Sequence, residues 1–207
     1  MTGRALFVVL EGGEGAGKST QAGILADWLR SSGSEVVTTR EPGATPVGAG
    51  IRTLLLDGGA PDPRTEALLY AADRAEHSAR VIRPALARGA VVISDRYVDS
   101  SVAYQAGGRG LASEDIVALT RWATSGLEPD LVLVLDLPPE VGLSRARARS
   151  ESDRMEGEPA EFHESVRRVF LKRAAERPDR YVVVDANRPA SEVAADLRAA
   201  VEARLGT

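Results

Sequence analysis

The chain has 207 residues, 43% apolar and 27% charged, ordinary globular usage that excludes a disordered or coiled-coil chain and allows one domain spanning 1–207. The absence of cysteine excludes disulfides and thiolate metal sites and fits the cytoplasm, and no apolar run approaches 18 residues, so no membrane partner is expected. A net charge of −4 argues against a nucleic-acid partner but leaves room for a small anionic ligand.

An apolar run at 5–10 predicts the first strand. It leads into Gly12-Gly13-Glu14-Gly15-Ala16-Gly17-Lys18-Ser19-Thr20, where the pattern G-x-x-x-x-G-K-[ST] sits between that strand and a helix predicted at 18–32. The glycines let backbone N–H groups converge on phosphate oxygens, and the helix N-terminus adds positive charge. Lys18, one of only two lysines beside 24 arginines, is placed to bridge the terminal phosphates of a nucleoside triphosphate. Ser19 can offer a hydroxyl to Mg2+, and Thr20 a further polar contact. Glu14 would be repelled by a triphosphate, so it points away, either to solvent or into an acceptor pocket where it could accept from a sugar hydroxyl.

The second strand is predicted at 35–39 and runs into Thr39-Arg40-Glu41-Pro42-Gly43. Helices follow at 47–56 and 65–88, the second kinked or divided by Pro84. Strand 90–94 ends in Asp95-Arg96-Tyr97, an acid and a base at the sheet edge where open α/β sheets bind ligands. Asp95 can hold the water shell of a magnesium ion, and Arg96 can clamp a phosphate with its planar fork. Arg40, at the end of the second strand, is a second clamp, and arginines beyond those a triphosphate needs point to an acceptor that is itself a monophosphate.

Helices at 113–125, 139–150, 160–177 and 190–204 alternate with strands at 131–136 and 181–185. The charged run 145–159 reads as a short mobile lid, with a solvated surface helix and loop as the alternative. Continuous apolar strands interleaved with helices give an α/β fold: a five-stranded parallel sheet in three layers, with right-handed crossovers.

The order of Leu10-Glu11-Gly12, the phosphate loop, 39–43, Asp95-Arg96-Tyr97, Ser100-Ser101-Val102-Ala103-Tyr104-Gln105 and the run 145–156 containing Asp153-Arg154 resembles the bacterial thymidylate kinases, over residues 7–189. The resemblance implies a P-loop nucleoside monophosphate kinase fold, transfer of the γ-phosphoryl of ATP to dTMP in dTTP biosynthesis, Mg2+ and a homodimer. Carried over position by position, Arg40 and Arg96 hold the acceptor phosphate and Glu14 the 3′-hydroxyl. Tyr70 stacks on thymine, Arg74 hydrogen-bonds the base, and Ser101 and Gln105 complete that pocket. Gly15, standing where some relatives have a basic residue, assigns the chain to the subgroup that supplies arginines from the lid. Of Arg145, Arg147 and Arg149, the last is favoured as catalytic, beside Lys18, Arg96 and Asp95.

Two positions depart from many relatives: Ala44 stands for glycine, leaving the local backbone open should it require positive φ, and Tyr70 stands for phenylalanine. A kinase for another pyrimidine monophosphate and a P-loop switch ATPase are the competing readings. The extra phosphate clamps at Arg40 and Arg96 speak against the second, because a hydrolase needs only water as acceptor.

Overall fold

The computed structural model describes residues 5–57, 59–148 and 154–206. The apolar runs become β1 (Leu6–Glu11), β2 (Val36–Arg40), β3 (Val91–Asp95), β4 (Leu131–Asp136) and β5 (Tyr181–Asp185). All four pairings are parallel, in the order β2-β3-β1-β4-β5. Alternation along β1 sends Leu6, Val8 and Leu10 to one face and Phe7 and Val9 to the other. The first face packs against α1 (Lys18–Ser31) and α9 (Ala190–Leu205) through Leu25, Leu29, Leu197 and Val201. The second is covered by α8 (Ala160–Glu176), which brings Phe162, Val166 and Phe170. Each such aliphatic or aromatic side chain contributes roughly 1.5–3 kcal/mol by leaving water, so the three layers hold without staples.

The connections follow local chemistry. Between β2 and β3, α2 (Pro46–Leu56) starts on Thr45, whose hydroxyl accepts from the Gly48 N–H at 2.9 Å. The next helix, α3 (Pro63–His77), starts on Asp62, whose carboxylate accepts from the Arg64 N–H. The stretch 65–88, expected to be kinked or divided by Pro84, is divided into α3, a π-helical turn at Ser78–Ile82 and α4 (Arg83–Ala87). Pro84 has no N–H for the carbonyl four residues back, and the ladder widens ahead of it. Ala44 raises no conflict: the left-handed residue of that turn is Gly43, at φ 107°.

One helical stretch has no sequence prediction. Between β3 and α6 (Ser113–Ala123) the chain forms α5 (Val98–Ser101), continued by a π-helical turn at Val102–Gly108. Its Val, Asp, Ser and Gly content is poor for helix, and long-range bonds hold it instead. The buried Glu11 carboxylate at the end of β1 accepts from the N–H groups of Tyr97 (2.9 Å) and Ser100 (3.1 Å). Asp99 accepts from Arg173 and from the Tyr181 hydroxyl. Between β4 and α8 lies α7 (Pro139–Arg147), whose last turn overlaps the start of the charged run 145–159. Among the described residues, no helix is long and apolar enough to cross a membrane.

Candidate active site

The carboxyl ends of β1, β2 and β3 open onto a cleft of about 310 Å³. The loop after β1 forms one wall, and its glycines are there for contact as well as freedom. Gly12 has φ 137°, and a Cβ on it would lie 2.4 Å from the Leu135 carbonyl oxygen. Gly15, at φ 65°, would place a Cβ 1.9 Å from the carbonyl oxygen of Gly142 in α7, and a Cβ on Gly142 would lie 2.2 Å from the Glu14 carbonyl oxygen. The loop and α7 therefore touch backbone to backbone, and any side chain at position 15 would force them apart.

At the loop's far end, Lys18 Nζ donates to the carbonyls of Gly12 (3.1 Å) and Gly13 (2.7 Å). Burial, and then the charge of Arg96, lower its pKa to about 8. Ser19 Oγ donates to Asp95 Oδ2 at 2.5 Å, joining the start of α1 to the end of β3. Arg40, in register with Asp95 on the neighbouring strand, is exposed on the cleft wall.

Arg96 occupies the centre. Its backbone is left-handed, at φ 74°, a conformation that costs energy outside glycine and turns the side chain back toward the loop. The guanidinium donates to the Gly12 carbonyl (3.1 Å), Ser100 Oγ (3.1 Å), Glu14 Oε1 (2.7 Å) and the Tyr104 hydroxyl (3.1 Å), and lies 5.0 Å from the Tyr104 ring centre. Burial opposes its charge, but Glu14 leads the groups that outweigh burial and raise its pKa well above the ordinary value. Glu14 also accepts from the Tyr104 hydroxyl at 2.6 Å. Burial alone would raise the Glu14 pKa, yet Arg96 and Lys18 hold it at about 2. The carboxylate thus faces Arg96 and Tyr104.

Tyr70 of α3 lines the cleft, as do Ser101 and Gln105. Arg74 lies beneath this wall and does not line it. It is 1% exposed and donates to Glu41 Oε2 (2.7 Å), Ser101 Oγ (2.8 Å) and the Tyr97 carbonyl (2.9 Å). His77 is locked between Thr39 and Glu41 and faces no ligand space.

Of the expected site residues, Glu14, Gly15, Gly17, Lys18, Ser19, Arg40, Tyr70, Asp95, Arg96, Ser101 and Gln105 share the cleft. Gly12, Gly13 and Ala16 shape the loop behind it, and Thr20 is exposed to one side. Of the lid arginines, Arg145 donates to the Ala186 carbonyl at 3.0 Å, and Arg147 lines a separate surface hollow with Glu140 and Glu164. Arg149 lies outside the described residues. Sequence reasoning assigned no role to Tyr104, Ser100, Arg52 or Met155, all of which line the cleft. Tyr104 and Ser100 stand inside the run 100–105 and could have been found there, whereas Arg52 carries no signal within its helix.

A phosphate-cradling loop after β1, a hydroxyl–carboxylate pair at its end and arginines on the facing wall define a P-loop phosphotransferase of the three-layer α/β class. The thymidylate kinase family model matches residues 10–197. The chain is 53% identical to a thymidylate kinase of Leifsonia xyli over 202 residues, 97% of this chain and 96% of the relative. It is 56% identical to one of Pseudomonas fluorescens (93% and 92% covered) and 53% identical to one of a Synechococcus (97% and 96%). The chain belongs to the thymidylate kinase family.

Proposed function

We propose that the protein transfers the γ-phosphoryl group of ATP to dTMP, giving dTDP for dTTP synthesis. The observation that carries this reading is the two-sided cleft: a phosphate loop on one wall, and on the other Arg96 and Arg40 beside a carboxylate turned out of the loop. The ATP phosphates lie along the loop 12–20 against Lys18. The dTMP phosphate lies against Arg96 and Arg40, and Glu14 accepts the 3′-hydroxyl through its second oxygen, since Arg96 and Tyr104 both use the first. Tyr70 stacks on the base, while Ser101 and Gln105, backed by Arg74, meet its edge.

Phosphoryl transfer passes through a loose transition state, so the protein's task is positioning and charge stabilisation. An oxygen of the dTMP phosphate attacks Pγ as the bond to the ADP oxygen breaks. A phosphate monoester, with its second pKa near 6, is largely dianionic at pH 7 and needs no general base, which suits a cleft lined by no histidine. Lys18, Arg96 and the lid residue Arg149 stabilise the charge on the transferring group. The Ser19 hydroxyl and Asp95 carboxylate, 2.5 Å apart, suit Mg2+, which binds through one or two protein oxygens and keeps several waters. When bound, the ion supplies further charge neutralisation at the phosphates.

The run 145–159 acts as the lid of one domain spanning the chain and excludes water on closing. The protein works in the cytoplasm as a homodimer. Exposed Leu54, Leu68, Val117 and Trp122 on the neighbouring helices α2, α3 and α6 support association, and sedimentation velocity is its measurement. A coupled assay with ATP, magnesium and a panel of monophosphates tests the activity. Preference for dTMP over dUMP, dCMP and dAMP is expected, and ATP hydrolysis without a phosphorylated acceptor would overturn the proposal.

A further inference from the structure

We propose that Glu66, a buried residue of α3 outside the cleft lining, is a positioning residue that sets base specificity by fixing which end of the Gln105 amide faces the base. The inference rests on the dTMP reading above.

Glu66 is 0% exposed. Its Oε1 accepts from Gln105 Nε2 at 2.9 Å and Arg109 Nε at 3.2 Å, and its Oε2 accepts from Arg154 Nη2 at 2.5 Å. Burial opposes ionisation, but the bonds from Gln105, Arg154 and Arg109 outweigh it and lower the pKa, so the group is a carboxylate. A carboxylate only accepts. The end of Gln105 that meets it must therefore be the NH2, and the carbonyl oxygen must turn the other way. Gln105 lines the cleft, so it presents an acceptor there.

Ser101 shows the complementary polarity. Its Oγ accepts from Arg74 Nη1 at 2.8 Å, and a guanidinium only donates, which leaves the serine's own hydrogen free to donate into the cleft. An acceptor beside a donor matches the N3–H and adjacent carbonyl of a pyrimidine-2,4-dione. Cytosine offers a bare N3 and an amino group at the same two positions, so acceptor would meet acceptor and donor would meet donor. Glu66 also stands one helical turn before Tyr70, so α3 carries both the stacking ring and the group that sets the polarity behind it. Arg109 and Arg154 hold the carboxylate from two further segments, and Arg109 is shared with Glu158.

The test compares kcat/KM for dTMP and dCMP in the wild-type protein, in Glu66→Gln and in the swapped pair Glu66→Gln with Gln105→Glu, with melting temperature followed throughout. In Glu66→Gln the facing amide can donate or accept, Gln105 loses its fixed direction, and the dTMP-to-dCMP ratio is expected to fall at least about tenfold. In the swapped pair the amide now at position 66 donates to the carboxylate now at position 105, whose other oxygen again offers an acceptor to the base, and the ratio is expected to recover. Equal loss for both nucleotides in the single variant, or no recovery of the ratio in the swapped pair, overturns the proposal. The swapped pair decides alone if the single variant does not fold. A wild-type protein without preference for dTMP over dCMP would sink the functional reading instead.

Discussion

On the acceptor wall, Arg96 is fixed by Gly12, Ser100, Glu14 and Tyr104 at 2.7–3.1 Å, and Ser100 is itself tied through its hydroxyl to the buried Glu11 at 2.6 Å. On α7 the arginines are turned elsewhere: Arg145 reaches the loop after β5 and Arg147 a surface hollow. The contrast follows from where each cation sits. A guanidinium among sheet ends is desolvated and needs several partners to stay charged, whereas one on a peripheral helix keeps water as part of its shell. Under the proposed function, the acceptor wall works by preorganisation and the lid by closing.

The sharpest way to break this contrast pairs Arg96→Ala with Arg149→Ala. Losing Arg96 removes the proposed phosphate clamp and one of the two cations that hold Glu14 charged, so kcat/KM for dTMP is expected to fall about 10³-fold or more with the fold retained by circular dichroism. Arg149→Ala is expected to lower kcat more than it raises the acceptor KM. If Arg96→Ala retains near-normal turnover, or if Arg149→Ala raises only KM, the division between fixed clamp and moving cation is wrong.

The joint between the two regions is the next target. Gly142→Ala puts a methyl 2.2 Å from the Glu14 carbonyl, inside any real contact distance, so the loop and α7 must separate. Overpacking of this kind costs about 1–3 kcal/mol, which for a chain of this length lowers the melting temperature by roughly 2–4 °C per kcal/mol. Calorimetry with an ATP titration reads both consequences, and wild-type values for both would show that the close approach is not a fixed joint.

The five strands were legible because strands covered on both faces must be continuously apolar, and the loop because phosphate binding constrains glycine, lysine and hydroxyl at fixed spacing. Asp95, Arg96 and Glu14 were legible from their places at strand ends or within the loop. The helix at 98–108 was not, because Glu11 and Asp99 hold it through partners 74–89 residues away in sequence. Glu66 was missed, and the burial of Arg74 was not foreseen, for a related reason. A charged residue in a helix reads as solvated or ligand-facing, and only the packing of α3 against the 98–108 segment reveals that both are buried behind the pocket wall. Arg145, expected on the lid face, turns to Ala186 because the end of β5 lies beside α7, a neighbour that periodicity does not disclose.

Two cations of the cleft, the buried Lys18 and the half-buried Arg96, provide the last comparison. Arg96 is raised far beyond any working pH, whereas burial, and then repulsion from Arg96, bring Lys18 to about 8. Phosphates bind the charged lysine, so its loss of a proton above pH 8 removes a partner the free enzyme needs. We expect kcat/KM for ATP to decline above pH 8, by up to tenfold per pH unit, because that ratio reports ionisations of the free enzyme. A bound triphosphate favours the ammonium and raises its pKa, so kcat at saturation should hold to higher pH. Lys18→Arg, whose guanidinium stays charged, should lose the alkaline limb while working at a lower rate. A wild-type kcat/KM that stays level from pH 7 to about 9.5 would mean that the carbonyls of Gly12 and Gly13 and the carboxylates nearby outweigh burial and keep Lys18 charged, making it as permanent a cation as Arg96.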